Sequence, residues 1–413
     1  MSQDSSLPTA VGIDLGSSQI RCVVGVHNED ALASGIIGVG VAPSLGIRKG
    51  VIYDIANTTS SISAAIDEAE RVSGVSIQGA TVGVNGQHIV TVRSRGIVAV
   101  GSANREITYE DATRAEDAAT VMQLPPNREI VQVFPREFTV DGQEHIKDPV
   151  GMTGMRLEVD AALVTAATPS LKNIIRSVNQ SGVSAHGYVV NSLASARTVL
   201  TDQDKESGSV VLDIGANTTS IAVFEEGELL HVAVIPVGSA HVTNDIAIGL
   251  RTEIDTAEQI KLQYVNVDPG SNALEENIKI KEASGQTIEV NRNEVRSIAE
   301  ARLSELFEMV DKELSNINKD GKLPGGAMLC GGGANLKGIA EFAKESLKLP
   351  ARVKSPRGFS GIVDKIHNPQ FTTAIGLMLE DMYGEHPTSS SMNLGAMLGN
   401  VREGVSKVFK FFK

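Results

Sequence analysis

The chain has 413 residues, 41% hydrophobic and 21% charged. That is long enough for more than one domain and too apolar for disorder. Its 37 basic residues face 50 acidic ones, a net charge of −13 that excludes a basic nucleic-acid-binding surface spread over the whole chain. Only Cys22 and Cys330 are cysteines, both inside apolar runs, so a disulfide framework is excluded and a reducing cytosolic setting fits. The polar stretch 1–9 holds no apolar signal segment, which argues against export, and no run of about 18 apolar residues spans a membrane. Aromatic residues make up 4% and tryptophan is absent, leaving little for a base- or sugar-stacking platform.

In chain order, residues 10–26 (AVGIDLGSSQIRCVVGV) predict two apolar strands joined by a turn of Asp14, Gly16, Ser17 and Ser18. Ile62, Ala65, Ile66 and Ala69 fall at helical spacing and predict an amphipathic helix over 57–73. Residues 83–100 are strand-like, with a turn at Asn85 and Gly86. Thr108 opens a helix with Asp111 three residues on, a capping-box start, and Pro125 and Pro126 end that element. Residues 130–166 predict several strands broken at Asp141 with Gly142 and at Asp148 with Pro149. About 86–166 therefore forms a small α+β insertion inside the first half.

Residues 209–224 (SVVLDIGANTTSIAVF) repeat the opening hairpin, with Asp213 lying 199 residues after Asp14. Such spacing predicts two related half-structures facing each other, not a solenoid of short units. Short helices are predicted over 243–250 and 255–264. A long one spans 291–318, with Val295, Ile298, Ala299, Leu303, Leu306 and Val310 on one face. A strand at 326–329 runs into Cys330, Gly331, Gly332 and Gly333. Residues 385–391 (EHPTSSS) read as a flexible linker before a separate terminal segment, 393–413. Alternating strands and helices make this an α/β architecture.

A phosphate chain needs close backbone N–H groups, hence glycine, together with hydroxyl donors. Both hairpin turns supply these, and Asp14 and Asp213 are hard oxygen ligands suited to Mg²⁺ through its waters. A tight turn explains either copy alone, whereas two copies in equivalent contexts point to a phosphate site. Gly331, Gly332 and Gly333 let backbone lie flat against a planar ring such as adenine, or else form a flexible strand-to-helix connection. No Gly-x4-Gly-Lys-Ser/Thr motif occurs and no Gly-x-Gly-x-x-Gly follows the first strand, so neither a Walker A loop nor a Rossmann site is supported. The eight histidines show no zinc-ligand spacing, and no Gly-x-Ser-x-Gly elbow exists.

The terminal segment carries its own signal. Leu394, Leu398, Val401, Val405, Val408 and Phe412 step by 4, 3, 4, 3, 4, with Phe409 widening the stripe. Arg402, Lys407, Lys410 and Lys413 stand against the single acid Glu403. A basic amphipathic helix behind a flexible tether reads as an interfacial membrane anchor. Each buried Leu, Val or Phe contributes roughly 1.5–3 kcal/mol before ordering costs, and each nearby basic residue about 1 kcal/mol at an anionic leaflet. The alternative is a helix docked on its own domain.

Two Asp-x-Gly hairpins with a glycine-rich loop resemble the actin/Hsp70/sugar-kinase ATPase superfamily, and more narrowly the FtsA family of bacterial cell-division proteins. The resemblance is carried by GIRKGVIYD (46–54), DGQEHIKDPVGM (141–152), GMRLE (154–158), VTNDIAIGL (242–250), AEQIK (257–261) and NPQFTTAIGL (368–377). It runs from about residue 8 to 382, with a matching terminal helix beyond. The motif of 141–158 is its most specific part, since it belongs to the FtsA-type subdomain and not to actins generally.

The resemblance implies a two-lobed actin-like ATPase fold with an FtsA-type inserted subdomain in the first lobe and a C-terminal amphipathic helix. The first-lobe core would be 8–85, 167–205 and 366–384, carrying the insertion 86–166. The second-lobe core would be 206–237 and 324–365, with a subdomain of 238–323. The linker 385–392 and the membrane helix 393–413 would follow.

ATP and Mg²⁺ would occupy the cleft between the lobes, with Asp14 and Asp213 near the metal and holding it through its waters. Gly16, Ser17, Ser18, Gly215, Asn217, Thr218 and Thr219 would surround the phosphates. Glu258 and Lys261 would contact the nucleoside, and Gly331 to Gly333 would flank adenine. Without the family, Glu258 and Lys261 read as a surface ion pair at i,i+3.

Ala216 and Asn217 stand where the family carries more glycine, and Ser239 and Ala240 where it tends to paired glycines. The segment 188–197 holds Asn191 but no Asp or Glu to act as general base, so the implied role is ATP binding with slow hydrolysis at most. The implied function is mainly structural: a protein that polymerises on the cytoplasmic face of the membrane at the division site, anchors the FtsZ ring and recruits later division proteins. The C-terminal peptide of FtsZ would dock on 238–323, where Arg302 and Glu305 match an Arg-x-x-Glu motif; an ordinary solvated helix face is the other reading. The insertion would help form filament contacts. A PilM-like pilus-assembly scaffold shares the fold and insertion but would lack the basic terminal helix, and a small-molecule kinase of the superfamily should carry a catalytic Asp in the first lobe.

Overall fold

The computed structural model describes residues 9–27, 34–102, 104–271, 277–281, 285, 287–361 and 366–383. The predicted linker and the terminal amphipathic helix lie outside these described residues.

The internal repeat becomes a repeated sheet. In the first half, Thr9–Leu15 pairs antiparallel with Gln19–Val26, which pairs antiparallel with Gly35–Pro43. Parallel strands Gly79–Val84 and then Ser184–Val190 extend the other edge of Thr9–Leu15. In the second half, Ser209–Ile214, Thr219–Glu225 and Glu228–Ile235 form the same antiparallel meander. Gly326–Cys330 and Ala351–Val353 add in parallel on the far side of Ser209–Ile214. The two leading strands are buried along almost their whole length, as continuous apolar runs covered on both faces must be. Asp14 and Asp213 therefore stand at the carboxyl ends of corresponding central strands, where ligands bind in open α/β sheets.

The helices follow from their patterns. Ile55–Ser73 starts at Asp54, whose side chain accepts from the Asn57 N–H, and it buries Ile62, Ala65, Ile66 and Ala69. Arg292–Asn316 is capped by Asn291 and buries Val295, Ala299, Leu303, Leu306 and Val310, leaving Ile298 half-buried at the edge of the stripe. A hairpin of Asn277–Lys281 and Thr287–Asn291 precedes it, an element the sequence pattern did not reveal.

The insertion is a four-stranded antiparallel sheet in the order Val90–Ala99, Arg156–Ala167, Arg128–Val140, Gln143–Ile146. Tyr109–Thr120 packs on it, opened by the reciprocal Thr108–Asp111 capping box. The insertion belongs to the first half by sequence, yet it also touches the second. Thr91 Oγ1 accepts the Val232 N–H at 2.8 Å and donates to the Val232 carbonyl at 3.3 Å. Lys147 Nζ donates to the Glu226 carbonyl and lies 3.8 Å from the Glu206 carboxylate. The outer strand of the second sheet is thus covered.

Two helices join the halves. Asn191–Val199 and Thr372–Tyr383 are almost wholly buried and cross at Gly376, where a Cβ would lie 1.9 Å from the Ala194 carbonyl oxygen. That oxygen is backbone, so nothing flexible can yield. Gly376→Ala is expected to destabilise the fold by about 3 kcal/mol, the upper range for overpacking. Urea denaturation followed by circular dichroism checks this, and a loss below about 1 kcal/mol would show that the crossing tolerates separation.

Candidate nucleotide site

A cleft of about 410 Å³ opens between the two sheets. Both hairpin turns face it, because each turn follows the carboxyl end of its leading strand. Asp14, Gly16, Ser17, Ser18, Asp213, Gly215, Thr218, Glu258, Lys261 and Gly331 to Gly333 all line this one space. Asn217 does not line it. Neither does Thr219, which is fully buried as the first residue of its strand and donates through Oγ1 to the Val237 carbonyl at 2.9 Å. Through that bond Thr219 fastens the turn from behind. Thr219 opens its strand and turns inward, while Thr218, in the turn before it, faces the cleft.

The helices that join the lobes hold the carboxylates. Asn191 Nδ2 donates to Asp14 Oδ1 at 3.1 Å. Ser195 Oγ and Thr373 Oγ1 donate to Asp213 Oδ2 at 3.1 and 2.7 Å. Burial pushes the Asp14 carboxyl up to about 6; Arg21 and Asn191 oppose this and the neighbouring Asp213 adds to it. Burial likewise raises Asp213, against the pull of Thr373, Ser195 and Arg21. Gly331, at φ 80, lies so close that a Cβ there would meet Asp213 Oδ1 at 2.3 Å.

Sequence reasoning missed Arg21. It sits directly opposite Asp14 in the hairpin register, with Nη1 3.7 Å from Asp14 Oδ2. Gln19 and Gln370 accept from its Nη2 at 2.7 and 3.3 Å, and its guanidinium lies 5.6 Å from the Phe371 ring centre. Pairing the strands residue by residue was the signal that would have found it. Gln370 and Thr373, arriving from the far end of the chain, had no comparable signal.

The cleft fits a nucleotide with a hydrated divalent cation. Asn191 Oδ1 and Arg21 Nε are buried without a hydrogen-bond partner, and both residues line the cleft. An unpartnered acceptor on the residue that holds Asp14 suits metal-bound water, and an unpartnered guanidinium N–H suits a phosphate oxygen. Val242, Val265, Leu303 and Leu306 add an apolar wall. Beside it the buried Lys261 Nζ is 2.7 Å from Glu258, whose side chain stays 41% exposed, and donates to Thr243 Oγ1 at 2.9 Å. Arg302 also reaches the cleft wall, gripping Asp245 through two hydrogen bonds of 2.5 and 3.0 Å and donating to Glu305. Glu305 itself is half exposed and does not line the cleft.

The family model described as "Cell division protein FtsA" matches residues 210–376, and that described as "SHS2 domain inserted in FTSA" matches 86–165. Cell division protein FtsA of Pseudomonas aeruginosa is 36% identical over 385 residues, covering 93% of this chain and 91% of that protein. The Bacillus subtilis protein of the same name is 38% identical over 369 residues, covering 89% and 82%. Among solved structures, the PilM–PilN type IV pilus biogenesis complex matches with a TM-score of 0.63 at 17% identity, covering 90% of this chain and 98% of that one. MreB5 of Spiroplasma citri bound to ADP matches with 0.54 at 13% identity, covering 91% and 96%. The structural likenesses establish the two-lobed actin-like fold, and the sequence relatives place it: with its inserted subdomain, this chain belongs to the FtsA family of cell division proteins.

Proposed function

We propose that the chain is an ATP-binding division protein that polymerises on the cytoplasmic face of the membrane, anchors the FtsZ ring and recruits later division proteins. The observation that carries the nucleotide part is the pair Asp14 and Asp213 at matching strand ends, buried across one cleft with Arg21 against them. Asp14 and Asp213 would hold a hydrated Mg²⁺, with Asn191 keeping the Asp14 carboxylate in place. Bound Mg²⁺ supplies the positive charge that the two carboxylates and a phosphate chain together require. Arg21, Ser17, Ser18 and Thr218 donate to the phosphates, and Gly331 to Gly333 lie against the adenine. Asn191 stands where a base would be needed, and a carboxamide is no base at neutral pH, so turnover is slow.

The partner surfaces extend this reading. The FtsZ C-terminal peptide docks on 238–323, where Glu305 is half exposed and Ile248 is 76% exposed on the neighbouring helix Ser239–Leu250. Arg302, already paired with Asp245, contributes by orienting Glu305. The insertion offers filament contacts, and the segment 393–413 binds the anionic membrane surface through its apolar stripe and Lys407, Lys410 and Lys413.

Two measurements test these parts. Protonated Asp14 cannot hold the cation, so affinity for ATP with Mg²⁺ should be flat at high pH and fall as the pH drops through about 6. Titration calorimetry from about pH 8 to pH 5 checks this, and Asp14→Asn should lower the affinity about tenfold or more and flatten the pH dependence, leaving only the part that the raised Asp213 carboxyl contributes. For the membrane part, the full chain should co-sediment with anionic phospholipid vesicles while a chain ending at Ser391 stays in solution. Equal behaviour of the two would return the terminal helix to a docked or partner-binding role.

A further inference from the structure

We propose that Asn85 is a positioning residue of the nucleotide site, tying the second phosphate turn to the first lobe and aiming the Thr218 hydroxyl at the terminal phosphate. This rests on the reading of the cleft as an ATP site. Asn85 follows the first-lobe strand Gly79–Val84 and lines the cleft, yet two of its side-chain partners belong to the second lobe. Its Nδ2 donates to Thr218 Oγ1 at 3.1 Å, and its Oδ1 accepts from Ser220 Oγ at 3.0 Å and from the Gly86 N–H at 2.8 Å. The Gly86 N–H is an unambiguous donor, so the oxygen of the carboxamide must face it and the nitrogen must face Thr218.

That assignment sets the hydroxyl. Thr218 Oγ1 accepts from Asn85, so its own proton turns elsewhere, and the open direction is the cleft that Thr218 lines. The first turn is built alike. Ser17 Oγ accepts the Gly50 N–H at 3.3 Å, which frees its proton in the same way. Gly50 and Asn85 are neighbours: a Cβ on Gly50 would lie 2.8 Å from the Gly86 nitrogen and 3.0 Å from the Asn85 carbonyl carbon. One seam of the first lobe therefore orients a hydroxyl in each turn toward the same anion. Pre-oriented donors gain most where charge is concentrated, so a triphosphate that brought its terminal group to both turns would gain from both hydroxyls, and the seam would favour it over a diphosphate.

The test is a double-mutant cycle of Asn85→Ala and Thr218→Val, reading affinities for ATP and for ADP with Mg²⁺ by calorimetry. Asn85→Ala should weaken ATP about five- to twentyfold and ADP less than about twofold, and the double variant should bind ATP no more weakly than Thr218→Val alone. Asn85→Ser is measured beside it, since its shorter hydroxyl keeps an acceptor for the turn but does not reach Thr218; thermal melts without nucleotide select the folded variants. Thr218→Ser, which keeps the hydroxyl, should bind ATP like the parent. Additive losses in the cycle, or equal losses for ATP and ADP, overturn the assignment of Asn85. A parent chain that binds neither nucleotide overturns the reading of the cleft itself.

Discussion

Two buried helices crossing at Gly376 and the Ala194 carbonyl set the geometry on which everything else in this protein rests. Each lobe brings one buried carboxylate and one hairpin turn to the cleft, and the two face each other only because the lobes are held at a fixed distance. The crossing permits backbone-to-backbone approach, and the same helices then supply Asn191, Ser195 and Thr373 to the two carboxylates. Packing and chemistry are thereby linked: a change in how the helices cross moves the groups that orient Asp14 and Asp213.

The electrostatics run against stability. A carboxylate whose pKa is raised in the folded state destabilises the fold wherever it is ionised, and for Asp14 that penalty is fully present above about pH 6. Arg21 offsets part of it, but its own burial pulls the guanidinium pKa down, with Asp14 and Asp213 opposing that shift. An arrangement of two buried acids and one largely buried base, with Asn191 Oδ1 and Arg21 Nε unpartnered, would gain a great deal from a cation and an anion that completed it. Ligand binding and lobe cohesion then draw on the same interactions.

The inserted subdomain adds a second bridge. It grows from the first half but meets the outer strand of the second sheet through Thr91 and Val232, and Lys147 reaches Glu226 and Glu206. Phe134 of the insertion shares one apolar cluster with Leu229 and Val232 of that strand. A surface carried by the insertion is consequently mechanically tied to both lobes, which is the connection needed for assembly contacts to depend on the cleft.

Much of this was legible in the residues. The two Asp-x-Gly turns, the helical stripes of 57–73 and 291–318, and the Thr108–Asp111 cap depend on neighbours a few positions apart, so local periodicity and turn chemistry determine them. The repetition of one hairpin, with Asp14 and Asp213 at equivalent strand ends, likewise marked which ends of which strands would face each other. What only the tertiary structure decided were contacts between distant segments: Arg21 against Asp213, Thr373 on Asp213, Asn85 on Thr218, and the insertion on the second sheet. Thr219 illustrates the limit, for its hydroxyl looks the same in the sequence as that of Thr218, and packing of the turn against the segment at Val237 takes one to that carbonyl and leaves the other facing the cleft. Local interactions choose the elements because they are complete within a turn or two of chain; the site is chosen by burial, which brings together groups that no spacing relates.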